Sequence, residues 1–301
     1  MMKLLVTGAW NCTNEQLNSL KSIGNEILFL QNEADELPDG ATDADGIICN
    51  GLFLHHDIRK FRKLRYIQLT SAGFDRVPMD YVKEKKIEIH NARGVYSIPM
   101  AEFAVCGVLQ LLKHSTTFIH SKNNHEWKKE RKLGELFGKT VCIVGCGSVG
   151  TEVAKRFSAF ECEIIGVNLH PRRDDNYSVM YSLNEIDKAF EQSDIVVLTL
   201  PLTERTKYFI NRETLNFTKQ SAIIVNIARG KIVHTEVLID ALNNKRIFGA
   251  VLDVFEEEPL SPNSPLWEME NVILTPHNSF VGDGNNERLW EVIKNNMENF
   301  R

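Results

Sequence analysis

The sequence contains no Cys-x-x-Cys spacing, no long apolar run, no low-complexity tract and no excess of positive charge. Its six cysteines, Cys12, Cys49, Cys106, Cys142, Cys146 and Cys162, do not pair with histidines at metal-ligand spacing, so free thiols and no metal site are expected. Cys142 and Cys146 flank a strand end, where small apolar filler is favoured over a redox role. No apolar stretch approaches membrane-spanning length, and the stretch from Met1 to Gly8 is too short in its apolar part for a signal peptide. The expectation is a cytoplasmic protein with no membrane partner. A formal net charge of -5 gives no general attraction to nucleic acid or anionic lipid, leaving only a local basic pocket to catch an anion.

With 43% hydrophobic and 25% charged residues over 301 positions, the chain can bury sizeable cores and fill two domains. Short apolar runs bounded by Gly, Asp or Asn recur at Lys3 to Thr7, Glu26 to Leu30, Gly46 to Cys49, Tyr66 to Thr70 and Ile87 to His90. A second series runs through Thr140 to Val144, Cys162 to Val167, Asp194 to Leu200, Ser221 to Ile227, Ile247 to Leu252 and Val272 to Leu274. Strands alternating with helical stretches predict parallel α/β sheets, and two series predict two domains with a cleft between them as the expected site. Met100 to Leu112 is too apolar for a one-sided surface helix, so it is expected to be buried on most faces at the junction. Leu289, Val292, Ile293, Met297 and Phe300 fall at helical spacing, and that closing helix is expected to return to the first domain.

Thr140 to Ala154 reads as a buried strand, a glycine turn and a helix start. Gly145 permits the tight turn, Gly147 lets backbone amides approach a pyrophosphate, and Gly150 lets the helix lie close to the strand. A bare G-x-G-x-x-G also serves ordinary strand-helix packing; its place between strand and helix favours a dinucleotide, with phosphates at the helix N-terminus. About 20 residues further on, where an acid normally accepts the ribose hydroxyls of NAD, stands Asn168, followed by His170, Arg172 and Arg173. A lost negative charge beside guanidinium groups suits a 2'-phosphate, so NADP is favoured and NAD remains possible.

Three later segments end strands with ionisable residues: Asn226 to Gly230, Asp253 to Leu260 and Thr275 to Asn278. Singly, Arg229 could be a surface residue, Glu258 part of a solvated acidic run and His277 a turn residue. Together they match what reduction of a keto acid requires. A cation must hold the carboxylate and polarise the carbonyl, a proton donor must meet the developing alkoxide, and a hydride source must be positioned. Arg229, His277 and the dinucleotide site supply one each. Glu258, reaching the other imidazole nitrogen, would orient the ring and stabilise its protonated form.

At these residues the chain resembles the D-isomer-specific 2-hydroxyacid dehydrogenase family. The matching motifs are Leu136 to Thr140, the glycine turn, Leu200 to Thr206, the Arg229 and Glu258 segments, Thr275 to His277, Ser71 to Asp75 and Asn91 to Glu102. Their order spans nearly the whole chain. The resemblance implies two doubly wound parallel-sheet domains, a flavodoxin-like substrate domain over residues 1–96 and 284–301 and a Rossmann dinucleotide-binding domain over residues 97–283. It implies Arg229 as carboxylate binder, His277 as acid and base, and Glu258 as its partner. Backbone amides around Ala72 and Gly73 would hold the substrate carboxylate, and Asp253 the nicotinamide carboxamide. Gly147, Ser148, Val149, Pro201, Thr206 and Ala228 would line the cofactor.

The implied partner is a small 2-keto or 2-hydroxy acid of the glyoxylate, hydroxypyruvate or D-lactate kind. A homodimer follows from the resemblance together with the apolar helix after Pro99. A dinucleotide-sensing corepressor-like protein on the same fold is the rival. Three features depart from the family pattern. Asn168 replaces the usual acid. Asn278-Ser279-Phe280 replaces small residues and is expected to narrow the channel near His277. The apolar Asn50 to Leu54 loop suits either an uncharged substrate side chain or plain core packing. The extra C-terminal regulatory domain of many phosphoglycerate dehydrogenases is not expected in this chain, which leaves the shorter phosphoglycerate dehydrogenases open.

Overall fold

The computed structural model describes residues 2–22 and 24–300. The chain divides into two compact units, Met1–Tyr96 with Gly282–Arg301, and Ser97–Val281. The first unit contains β1 (Lys3–Thr7), α1 (Asn14–Ser22), β2 (Glu26–Leu30), β3 (Gly46–Cys49), α2 (Leu52–His55), β4 (Tyr66–Leu69), α3 (Met79–Glu84) and β5 (Glu88–His90). Its five strands are all parallel in the order β2-β1-β3-β4-β5. β3 and β4 are buried along their whole length, because helices cover both faces of a parallel sheet and its central strands must be apolar throughout. Alternate side chains split between two cores: Leu5, Ile47 and Ile67 on one face, Leu4, Val6, Ile48 and Tyr66 on the other.

The second unit contains α4 (Ser97–Leu112), α5 (Ser115–Asn123), β6 (Thr140–Val144), α6 (Ser148–Ser158), β7 (Glu163–Asn168), β8 (Val179–Ser182), α7 (Ile186–Gln192), β9 (Ile195–Leu198), α8 (Arg212–Asn216), β10 (Ile223–Asn226), α9 (Thr235–Asn243), β11 (Gly249–Leu252) and β12 (Val272–Leu274). Seven parallel strands lie in the order β12-β11-β10-β9-β6-β7-β8. Val141, Ile143, Ile195 and Val197 face one core and Cys142, Val144, Val196 and Leu198 the other. The chain then returns to the first unit as α10 (Asn285–Asn299), burying Leu289, Ile293 and Met297 against Leu4, Val6 and Trp10. Each such side chain contributes about 1.5–3 kcal/mol on burial.

These two parallel, doubly wound sheets are the fold class expected from the strand alternation. β8 was not anticipated. It is an edge strand with only partial burial, and Val179 is exposed, so its apolar signal is weak. α4 is buried or half-buried around most of its circumference, as expected, and open only along one edge. Ala101, Ala104, Val108 and Leu111 are buried, and Gly107 lets the helix approach β11, where a Cβ would stand 2.4 Å from Val251 Cγ1. Glu102 and Cys106, one helical turn apart, are exposed, and Leu109 and Gln110 are half-buried. Among the described residues, no helix is long and apolar enough to cross a membrane.

Candidate active site

In the seven-stranded sheet the strand order reverses between β6 and β9, and ligands in open parallel sheets bind beyond the carboxyl ends of strands at such a point. The turn leaving β6 has the three properties its glycines require. Gly145 has φ +103°, and a Cβ there would lie 2.7 Å from the Leu200 amide nitrogen, at the end of β9. A Cβ at Gly150 would stand 2.3 Å from the Gly145 carbonyl oxygen, so the first turn of α6 rests directly on the glycine loop. At Gly147, which caps α6, nothing lies within 4 Å of where a Cβ would be. Open space before a helix N-terminus, with half-buried Ser148 and Val149 opening the helix, fits a dinucleotide pyrophosphate.

Around this turn, Asn168 is half-buried at the end of β7 and its Oδ1 accepts from the Leu169 amide at 3.0 Å. Arg172 and Arg173 are exposed, and the Arg172 guanidinium lies 3.7 Å from the Asp174 carboxylate. Beyond β9, Pro201 is exposed while Thr206 is buried, its hydroxyl donating to the Pro201 carbonyl at 2.7 Å and accepting from the Thr203 amide at 2.7 Å. Thr206 thus ties the turn together. Burial pushes the Cys146 thiol up to about 11 and raises that of Cys142 as well, so neither is a ready thiolate.

Arg229 follows β10 in a turn closed by the Asn226 side chain, which accepts from the Ala228 amide at 3.1 Å and donates to the Arg229 carbonyl at 3.1 Å. The half-buried Arg229 guanidinium donates to the Ala228 carbonyl at 2.7 Å. His277 Nδ1 and Glu258 Oε2 lie 2.8 Å apart, and both side chains keep over a third of their surface exposed, at 43% and 36%. The other Glu258 oxygen accepts from the Phe255 amide at 3.0 Å. The imidazole Nε2 is thereby left as the atom for proton exchange.

His277 has φ +52°, a left-handed conformation that costs a non-glycine residue about 1–3 kcal/mol unless its surroundings impose it. Asp253 imposes it. This wholly buried carboxylate accepts from the Thr275 hydroxyl at 2.8 Å, the Asn278 amide at 2.7 Å and the Ser279 amide at 3.0 Å, while the Asp253 carbonyl accepts from the His277 amide at 2.7 Å. Asp253, expected at the nicotinamide carboxamide, therefore spends its carboxylate on the turn that carries His277. Phe280 stands edge-on to the imidazole with ring centres 6.0 Å apart, so the unusual residues after His277 pack against it.

In the first unit, Ala72 and Gly73 form the turn after β4, with Ala72 exposed. Asn91 Nδ2 donates to the Ala72 carbonyl at 2.6 Å, and Tyr96 donates its hydroxyl to the Thr70 carbonyl. Within the apolar loop after β3, Leu52 is buried in the core while Leu54 is exposed. Glu33 grips that loop by accepting from the Asn50 and Gly51 amides at 2.7 and 2.6 Å and from the Thr7 hydroxyl at 2.8 Å. Asn91 opens one of the matched motifs, but its role did not stand out in the sequence, and neither did Glu33, since each acts on backbone brought to it by the sheet.

Residues 105–279 match the family model described as D-isomer specific 2-hydroxyacid dehydrogenase, NAD binding domain. The chain belongs to that family. It is 35% identical over 241 residues to a glyoxylate reductase of Thermofilum pendens, covering 78% of this chain and 71% of that protein. It is 34% identical over 281 residues to a D-3-phosphoglycerate dehydrogenase of Methanocaldococcus jannaschii, covering 92% of this chain and 53% of that protein, so it spans about half the length of that relative. The solved structure of a glyoxylate reductase from Paecilomyes thermophila shares the fold, with a TM-score of 0.85 over 99% of this chain and 94% of that one at 24% identity. This dehydrogenase is an oxidoreductase that acts on CH-OH donors with a nicotinamide dinucleotide.

Replacing Gly150 by alanine forces the glycine loop of the dehydrogenase to move. The Gly150→Ala protein is expected to fold but to bind reduced dinucleotide about tenfold or more weakly, read by fluorescence titration. Unchanged affinity would show that the contact with Gly145 does not shape the cofactor turn.

Proposed function

We propose that this dehydrogenase reduces a small 2-keto acid to its D-2-hydroxy acid, taking substrates of the glyoxylate, hydroxypyruvate or pyruvate kind. The observation that carries the reading is the 2.8 Å contact between His277 and Glu258. With Nδ1 held by the carboxylate, protonated His277 donates from Nε2 to the keto oxygen, and Glu258 stabilises the imidazolium and fixes its direction. Arg229 binds the substrate carboxylate and polarises the carbonyl; Ala72 and Gly73 are assigned to substrate binding through their backbone amides. Gly145, Gly147, Ser148, Val149, Gly150, Pro201, Thr206 and Ala228 hold the dinucleotide, with Asp253 beside its carboxamide. When bound, the nicotinamide supplies the hydride.

Initial rates on a panel of glyoxylate, hydroxypyruvate, pyruvate and branched 2-keto acids test this reading. At least one is expected to turn over, with reduction favoured at lower pH and hydroxy-acid oxidation at higher pH because reduction consumes a proton. His277→Ala should lower kcat by about a hundredfold or more, and Arg229→Ala should also raise the substrate KM. Dinucleotide binding without turnover of any member of the panel would instead favour the dinucleotide-sensing role.

For the cofactor, we assign a preference for NADP to Asn168, Arg172 and Arg173. A neutral side chain at the end of β7 removes repulsion toward a 2'-phosphate, and exposed guanidinium groups follow it. Replacing both arginines by alanine is expected to lower kcat/KM for NADPH by about tenfold and leave NADH within about twofold. A wild-type enzyme that prefers NADH would overturn the assignment.

We also infer a homodimer. Phe118, Ile119, Trp127 and Leu133, on α5 and the segment after it, are exposed at 39%, 57%, 94% and 42%, an apolar surface that a second copy would cover. Sedimentation should give twice the chain mass, and Trp127→Ala should weaken association. A wild-type monomer at micromolar concentration would exclude it.

A further inference from the structure

The loop that delivers Glu258 to His277 is held at a second carboxylate, two residues earlier. Glu256 is half-buried and its Oε1 accepts from the Thr235 amide, the first residue of α9, at 2.7 Å. Although burial opposes ionisation, bonds from the Thr235 amide and hydroxyl and from the Tyr208 hydroxyl keep the Glu256 carboxyl below its usual range, so it stays an acceptor. The loop backbone also packs directly on Gly230, where a Cβ would stand 1.8 Å from the Phe255 carbonyl oxygen. Phe255 lies between these two restraints, and its amide is the donor that fixes Glu258 Oε1 at 3.0 Å.

We propose that Glu256 is a positioning residue for the reaction: by tying the loop to α9 it holds the Phe255 amide where it orients Glu258, and through Glu258 it sets the direction of the His277 imidazole. The inference rests on the assignment of His277 and Glu258 given above. The connection is short and rigid. Glu256 ties the residue after Phe255 to α9, the Phe255 carbonyl rests against Gly230, and the Phe255 amide aims one oxygen of Glu258 so that the other meets Nδ1. Glu257, between the two, is exposed, in keeping with a loop whose alternate carboxylates have different duties.

A double-mutant cycle tests it on the full-length enzyme with saturating cofactor. Glu256→Ala is expected to lower kcat for keto-acid reduction by about tenfold with little change in the affinity for reduced dinucleotide, and Glu256→Gln, whose amide oxygen still accepts from Thr235, to return it to within about twofold of wild type. In a Glu258→Gln background, Glu256→Ala should cost less than about twofold further, because its effect runs through Glu258. Full kcat in Glu256→Ala, an equal loss in both backgrounds, no rescue by Glu256→Gln, or a parallel loss of cofactor affinity each overturn the clamp. Should Glu256→Ala fail to fold, Tyr208→Phe removes one donor to the same carboxylate and is expected to lower kcat by about two- to threefold in wild type but not in Glu258→Gln; full kcat there overturns the clamp equally. Glu258→Gln with unchanged kcat defeats the underlying assignment, whereas a loss there with none in Glu256→Ala defeats the clamp alone.

Discussion

Asp253 sits at the end of β11 with no exposed surface, and a carboxylate taken out of water is tolerated only where fixed donors replace the water it loses. Here the donors are the Thr275 hydroxyl and the amides of Asn278 and Ser279. The exchange works in both directions. The carboxylate is satisfied by the turn, and the turn is forced into the shape that satisfies the carboxylate. That shape places His277 in a left-handed conformation it would not adopt alone and points its ring toward Glu258. Strain at His277 is thus sustained by a buried carboxylate that cannot be left unpaired.

The parallel sheet supplies the frame for this arrangement. Arg229, Asp253 and the Thr275–His277 segment follow the carboxyl ends of β10, β11 and β12, neighbours in one sheet, so residues up to 48 positions apart in sequence are delivered to a common edge. The glycine turn leaves β6 along that same edge, with two strands between β6 and β11. Behind this edge β10, β11 and β12 are apolar except for Asn226 at the end of β10, and the other polar groups stand on the first residues beyond it.

How legible this was depended on which residues acted through side-chain chemistry and which through backbone. The doubly wound sheets were readable because buried parallel strands are unbroken apolar runs, as at Ile47 to Cys49 and Val141 to Val144. β8 was not, since an edge strand half open to solvent needs no such run. The glycine turn could be read position by position, because Gly145 and Gly150 answer to steric demands that only glycine meets. Arg229, Glu258 and His277 were visible as groups with matching chemistry. Glu33 was not visible, and the roles of Asn91 and Glu256 were not, though both lie in segments that stood out, because each accepts from or donates to main chain that only the fold brings near. The burial of α4 was legible from its composition, while the exposed edge at Glu102 and Cys106 was not, because composition reports how apolar a helix is and not which turn a neighbour leaves uncovered.

The five-stranded sheet has its own reversal of strand order, between β1 and β3, and Glu33 lies across it, gripping Thr7 at the end of one strand and the Asn50 and Gly51 amides beyond the other. In a related sheet topology those amides would be available to an arriving anion. Here they meet a tethered carboxylate whose effective concentration, set by a linker of a few residues, is in the millimolar range or above. A free phosphate or carboxylate would have to outcompete it, so the two sheets, alike in architecture, differ at their reversal points: one presents an open glycine turn before a helix N-terminus, and the other has its amides met by a carboxylate of its own chain.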